Sequence, residues 1–183
     1  MNKILKWSLI VIAVLAVGLF IAFKVLQTQT KKNSPEETVT YTQGEVALSV
    51  YYNRPYKKGR DIFGGLVPYG EVWRTGANEA TTFTTNADLN IDGNALPAGK
   101  YTLWTIPEAE TWTVIFNGEQ YGWGVSWGGV ASRDPAADVL QVRVPVTTLP
   151  TPVEQFTIAF EGDNPTALTL SWDRTQVAVP MSW

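Results

Sequence analysis

Residues 7–23, WSLIVIAVLAVGLFIAF, contain no charged side chain and are apolar on every face of a helix. A helix packed in a soluble core shows one apolar stripe, so an apolar surface all the way round reads as a membrane segment. As a helix, these seventeen residues span about 25 Å. Lys6 and Lys24 flank the run, and their alkyl stems extend its apolar length while their ammonium groups reach the headgroups. Trp7 suits the membrane interface. A cleaved secretory signal is the rival reading, and it requires small residues just after the run. The segment that follows, KVLQTQTKKN, has no such pattern. We therefore expect an uncleaved anchor over residues 1–26. The positive-inside bias is small, since Lys3 and Lys6 precede the span and Lys24, Lys31 and Lys32 follow it. The short N-terminal tail favours an orientation with the domain on the extracytoplasmic, periplasmic side. Residues 27–37, QTQTKKNSPEE, are polar and read as a flexible linker.

From residue 38 the hydrophobic period changes to two. Leu48 and Val50, then Trp112, Val114 and Phe116, then Leu140, Val142 and Val144 each share one strand face. Phe156, Ile158 and Phe160 do the same, as do Leu168, Leu170 and Trp172, and Val177 and Val179 continue the pattern. Such alternation is the signature of antiparallel strands with one buried face. Asp92-Gly93 and Asn117-Gly118 mark turns, and Asp163-Asn164-Pro165 separates two late strands. The pattern predicts eight to ten short strands in an all-β antiparallel sandwich or jelly roll over residues 38–183. Two stretches break it, residues 53–78 and 117–138, the second holding five glycines from Gly118 to Gly129. Long loops on a rigid sandwich are where binding usually resides.

Composition narrows the chemistry. Of 183 residues none is His or Cys, which excludes a Ser–His–Asp triad, thiolate chemistry, disulfides and His- or Cys-ligated metals. The net charge of −3 hides an asymmetry: residues 1–32 carry five Lys and no acid, and the remainder is acidic. An acidic domain lacks the basic face that nucleic acid requires. No cofactor is expected, and the membrane is the one partner the sequence implies.

The stretch NRPYKKGRDIFGGLVPYGEVWRTGANEATTF, followed by LPAGKYTLWTIP and TWTVIFN, resembles DUF2911, a bacterial family of unknown function. The resemblance extends from about Val46 to Trp183. It implies an exported or membrane-attached β protein without a settled activity. The family's characteristic positions fall on Arg54, Pro55, Lys58, Gly59, Arg60, Trp73, Arg74, Asn78 and Glu79.

Four features are candidates for chemistry. Arg54, Lys57, Lys58, Arg60 and Arg74 crowd into one loop of an acidic domain, beside Asn78 and Glu79. Arginine forks suit carboxylate, phosphate or sulfate, and Asn78 and Glu79 could read hydroxyl or amide groups. The bland alternative pairs Arg54, Arg60 and Arg74 with Asp61, Glu71 and Glu79 to pin the loop. Tyr69, Trp73, Tyr121, Trp123 and Trp127 lie in irregular segments and could stack on sugar rings, although core packing explains most aromatic residues. Gly124-Val-Ser126-Trp-Gly128 matches a nucleophile elbow by spacing, but no His exists to activate Ser126. Asp88-Leu-Asn90-Ile-Asp92-Gly93 opens like a calcium loop, but Gly99 stands where the bidentate Glu belongs.

The resulting expectation is non-catalytic binding of a small polar or anionic ligand, or an envelope glycan, through Arg54, Lys58, Arg60, Arg74, Asn78 and Glu79. The competing classes are a carboxylate-based enzyme acting on glycans and an envelope assembly protein. The anchor reading has its own check: mass spectrometry of membrane-extracted protein should find residues 1–30 attached, and a mature terminus near Gln27 would refute it.

Overall fold

The computed structural model describes residues 2–126, 128–162 and 166–183. Trp127 and the expected turn at Asp163-Asn164-Pro165 lie outside these residues. Two units emerge, the N-terminal helix and the remainder from Ser34. The helix, α1 (Lys3–Asn33), is 31 residues long and is apolar enough to cross a membrane. It continues through residues 27–33, so the expected flexible linker is helical over most of its length. Gln, Thr and Lys tolerate helix, the hydroxyls of Thr28 and Thr30 donate to the carbonyls of Lys24 and Gln27, and Lys31 and Lys32 sit favourably at the negative end of the helix dipole.

The named strands of the second unit all pair antiparallel, and a short 3-10 helix, Pro135–Ala137, precedes the eighth. The strands are β1 (Glu36–Gln43), β2 (Val46–Asn53), β3 (Thr81–Thr85), β4 (Leu89–Ile91), β5 (Asn94–Leu96), β6 (Gly99–Pro107), β7 (Thr111–Asn117), β8 (Asp138–Glu161) and β9 (Thr166–Ser182). Strand β1 takes in Glu36 and Glu37, two residues before the expected domain start, because they pair with Asn53 and Tyr52 of β2. The strand order is β1-β2-β3-β6-β7-β8-β9-β4-β5. Strands β8 and β9, at 24 and 17 residues, exceed the short strands the pattern predicts. The reason is that β8 serves two sheets. Residues 138–145 pair with β7, and residues 146–161 pair with β9 after register shifts that bend the strand. The bend turns one hydrogen-bonded ribbon into two layers facing each other.

The alternating residues meet between these layers. Leu48, Val50, Phe83, Leu103, Val114 and Phe116 come from the first sheet, and Phe156, Ile158, Leu170, Trp172, Val177 and Val179 from the second. Tyr52 ties the layers directly. Its hydroxyl accepts from the Ile158 amide at 2.9 Å and donates to Glu37 Oε2 at 2.9 Å. Burial pushes this phenol well above its usual range, and the Glu37 carboxylate adds to the rise. An aromatic group closes one region of the core: the rings of Phe63, Trp73, Trp112, Phe156 and Trp172 meet at centroid distances of 4.7–6.2 Å. The indole nitrogens of Trp112 and Trp172 find no acceptor among the described residues, a cost set against the large aromatic area buried. At the Asp92-Gly93 turn both residues have positive φ, 49° and 83°, as a two-residue hairpin between β4 and β5 requires. The Asp88 and Asn90 side chains of the calcium-like motif accept from the amides of Ala98 and Gly93.

One tight turn decides what lies on which side of the first sheet. Beyond β3, the Trp73 amide donates to the Thr105 carbonyl at 2.8 Å, and Thr105 returns the bond at 3.0 Å. Trp73 points into the main core, so its neighbours Val72 and Arg74 face outward. The next residues reverse sharply, with φ of +55° at Thr75, +150° at Gly76 and +58° at Asn78. A Cβ on Gly76 would lie 2.8 Å from the Asn53 carbonyl oxygen. The Gly76→Ala variant should therefore lose about 1–3 kcal/mol or more in chemical denaturation. Stability equal to wild type would show that the turn is not strained.

The second long loop, residues 118–137, folds back over the outer face and is fastened by an ion pair. Arg133 and Asp138 meet at 2.9 and 2.5 Å in a bidentate pair, with side chains only 10% and 8% exposed. Asn117, fully buried, donates to Asp138 Oδ1 and to the Asp134 carbonyl, and Gln141 donates to Asp138 Oδ2. Burial pushes the Asp138 carboxyl up, but Arg133, Asn117 and Gln141 together hold it below the usual range. A carboxyl with a depressed folded pKa stabilises the fold above its unfolded pKa, and that contribution is lost as pH falls through the folded value. The thermal midpoint should thus decline as the medium is acidified below the ordinary aspartate range. In Asp138→Asn the acid limb should flatten and stability at neutral pH should fall by about 3–5 kcal/mol, the cost of stranding a buried charge. An unchanged acid limb would remove this pair from the account.

Candidate functional site

The structure distributes the basic residues of the first loop rather than gathering them. Arg54 lies against β8: its Nε donates to the Phe156 carbonyl at 3.0 Å and Nη2 to Thr157 Oγ1 at 2.8 Å. Its Nη1 pairs with Glu37 Oε2 at 2.8 Å. Lys57 pairs with Asp173 at 2.5 Å. Lys58 occupies a tight turn at φ +50°, where its amide donates to Glu154 Oε1 at 2.9 Å. Arg60 closes the same turn by donating to the carbonyls of Lys57 and Tyr56. Thus Arg54 and Lys57 meet Glu37 and Asp173, acids distant in sequence from the loop.

Asn78 and Glu79 are brought together, with Asn53 between them. The buried Asn53 amide donates to Glu79 Oε2 at 3.0 Å, and its carbonyl oxygen accepts from Asn78 Nδ2 at 3.2 Å. Asn78 Nδ2 also reaches the Ser34 carbonyl at 3.4 Å. This network connects the end of β2 to the turn after Arg74. Asn53 is the member that sequence reasoning missed, because a strand-end Asn carries no motif.

Arg74 stands apart. It lies on the outer face, beneath the second loop. A Cβ placed on Gly124 would sit 2.7 Å from Arg74 Cδ and 2.8 Å from its Cβ, so glycine is needed for this approach. Backbone bonds hold the loop there: Ala80 to Gly122 at 3.2 Å, Gly124 to Asn78 at 3.1 Å and Ser132 to Gly124 at 3.2 Å. Bridges at Glu79–Trp123 and Val125–Ala131 complete the cover. Ser126 of the elbow-like motif donates to the Val130 carbonyl at 3.2 Å within this loop.

Arg74 Nε is buried and has no hydrogen-bond partner among the described residues. Burial alone perturbs the guanidinium and lowers its proton affinity; no neighbouring charge of either sign contributes. The Arg74 stem runs beside an apolar cluster. Ala80, Trp104 and Ile115 form a second small core on this face, flanked by half-buried Val72, Ile106, Tyr121 and Ala131. Trp104 meets the Tyr121 ring edge-on at 5.4 Å, and its indole donates to Thr102 Oγ1 at 3.1 Å. Of the loop aromatics, Trp73 is committed to the main core, Tyr121 to this smaller one, and Tyr69 is exposed. Among the described residues, no group of His, Cys, Asp and Glu could hold a metal ion.

No curated protein matches the chain, and no solved structure does. A family match does exist, over residues 34–181, which covers the whole β unit but its last two residues. By that match the chain belongs to DUF2911, described as a protein of unknown function.

Proposed function

We propose that this domain is a non-catalytic binding module for a small anionic ligand, anchored by α1 and displayed on the extracytoplasmic side of a membrane. The observation that carries the reading is Arg74: a half-buried arginine whose Nε is buried and has no hydrogen-bond partner among the described residues. Leaving a buried donor of a charged group unsatisfied costs stability. A ligand that brings a carboxylate or another oxyanion completes the guanidinium with charge-assisted, bidentate hydrogen bonds. Asn53, Asn78 and Glu79 then act behind the site, holding the turn that aims Arg74. Arg54, Lys58 and Arg60 fasten the first loop to β8 and to itself. The length and apolar character of α1 support the membrane attachment.

Replacing Arg74 separates this reading from a structural one. Arg74→Met keeps an unbranched apolar stem beneath Gly124 and removes the unsatisfied Nε donor with its half-buried charge. Its ligand-free thermal midpoint should rise by roughly 2–4 °C for each kcal/mol recovered. Stabilisation of the wild type by organic and inorganic anions, followed through tryptophan fluorescence, should vanish in this variant; at a hundredfold excess over Kd the wild-type effect is about 2.7 kcal/mol. A midpoint several degrees below wild type would make Arg74 a structural residue and end the proposal.

A further inference from the structure

We infer that the ligand of the Arg74 site is an amphipathic monoanion, a single carboxylate carried on an apolar body. The inference rests on the anion-site reading above and adds the chemical class.

Charge count is the first argument. Among the described residues no second cation perturbs the Arg74 guanidinium. The other cations of the same loop are engaged elsewhere, Arg54 with Glu37, Lys57 with Asp173 and Arg60 with backbone carbonyls. A phosphate monoester carries nearly two negative charges at neutral pH, and a dicarboxylate two. Either would bring a second charge into partly desolvated surroundings without a partner for it. One carboxylate matches one guanidinium in charge and in its two-pronged geometry.

The neighbours supply the second argument. The point above Gly124 that lies 2.7 Å from Arg74 Cδ also lies 3.3 Å from the Ala80 Cα. Ala80 belongs to the small core with Trp104 and Ile115, so the Arg74 stem borders an apolar cluster. Val72, Ile106 and Ala131 on its flank offer methyl groups and no polar atom. A sugar needs several side-chain donors and acceptors converging on its hydroxyls. Here the nearby polar groups are committed: Asn53, Asn78 and Glu79 to one another, Thr102 to the Glu119 carbonyl, and the Tyr121 hydroxyl to Asn117 and the Asp134 amide. One polar anchor beside an apolar wall is the usual recipe for an amphipathic small molecule.

The test uses the full chain in a neutral detergent, with benzoate, hexanoate, succinate and inorganic phosphate as anionic probes and benzamide as the uncharged isostere of benzoate. Kd values come from calorimetry, and thermal midpoints from tryptophan fluorescence. Benzoate or hexanoate should bind at least tenfold more tightly than phosphate or succinate, and benzamide should not bind. Arg74→Met should abolish binding; Arg74→Lys, which keeps the charge but loses the fork, should weaken it at least tenfold with a near-native midpoint. Phosphate or succinate binding as tightly as benzoate, and lost in Arg74→Met, overturns the monoanion class and leaves the anion site standing. Absence of binding by all four anions overturns the class as well; the midpoint of ligand-free Arg74→Met then decides whether the site itself survives.

Discussion

The reciprocal backbone bond between Trp73 and Thr105 governs the rest of the domain. It extends the first sheet by one rung beyond β3, at the point where the chain would otherwise leave it. Because successive residues of an extended chain point to opposite faces, that rung sends Trp73 inward and Val72 and Arg74 outward. Inward, Trp73 meets Phe63, Trp112, Phe156 and Trp172 and joins the two sheets. Outward, Arg74 is delivered to a face that carries only a small apolar core. The positive φ angles at Thr75, Gly76 and Asn78 follow from the same constraint, since the chain must return to β3 within a few residues. Thr81 secures the return by donating to the Thr75 carbonyl at 2.7 Å.

The outer face around Arg74 is covered by the second loop, and the loop depends on a polar cluster at its base. Arg133, Asp138 and Asn117 form a network with well-formed hydrogen bonds, which is the condition for a buried ion pair to be tolerated. Tyr121 extends it toward Arg74's neighbourhood: its hydroxyl accepts from the Asp134 amide while its ring lies against Trp104. The aromatic cover of the small core and the closure of the loop therefore share one residue. The glycines of the loop have a local reason at Gly124, where a side chain would occupy the space of the Arg74 stem.

The fold was legible in the sequence because a buried sheet face enforces a period of two. Trp112, Val114 and Phe116, or Leu168, Leu170 and Trp172, declare their strands without further information. The length of β8 was not legible. A strand that bends from one sheet into another presents two short alternations in series, and only pairing joins them. The helical character of residues 27–33 was hidden by polar composition, which says how a segment is solvated more than how it is coiled. The polar constellation was the least legible part. Crowding of cations in sequence suggested one cluster, whereas sheet pairing carries Arg54 to β8 and Arg74 to the opposite face of β6. Asn53 and Asp138 had no signal, and Asn117 read only as half of a turn. Their importance comes from being buried at strand ends, a property of topology rather than of local motif.

The strongest argument for Arg74 comes from the domain's treatment of its other arginines. Arg54 satisfies a carbonyl, a hydroxyl and a carboxylate with three different nitrogens. Arg133 meets one carboxylate with two nitrogens, and that carboxylate is completed by Asn117 and Gln141. Both show what a guanidinium looks like when the fold uses it for stability: the desolvated donors are matched within the chain. Arg74 is partly desolvated as well, yet its buried Nε is unmatched among the described residues. A hydrophobic residue of similar length would fill the same space beneath Gly124 without that cost. On the binding reading proposed above, the guanidinium retained there trades stability for contact with something that arrives from outside.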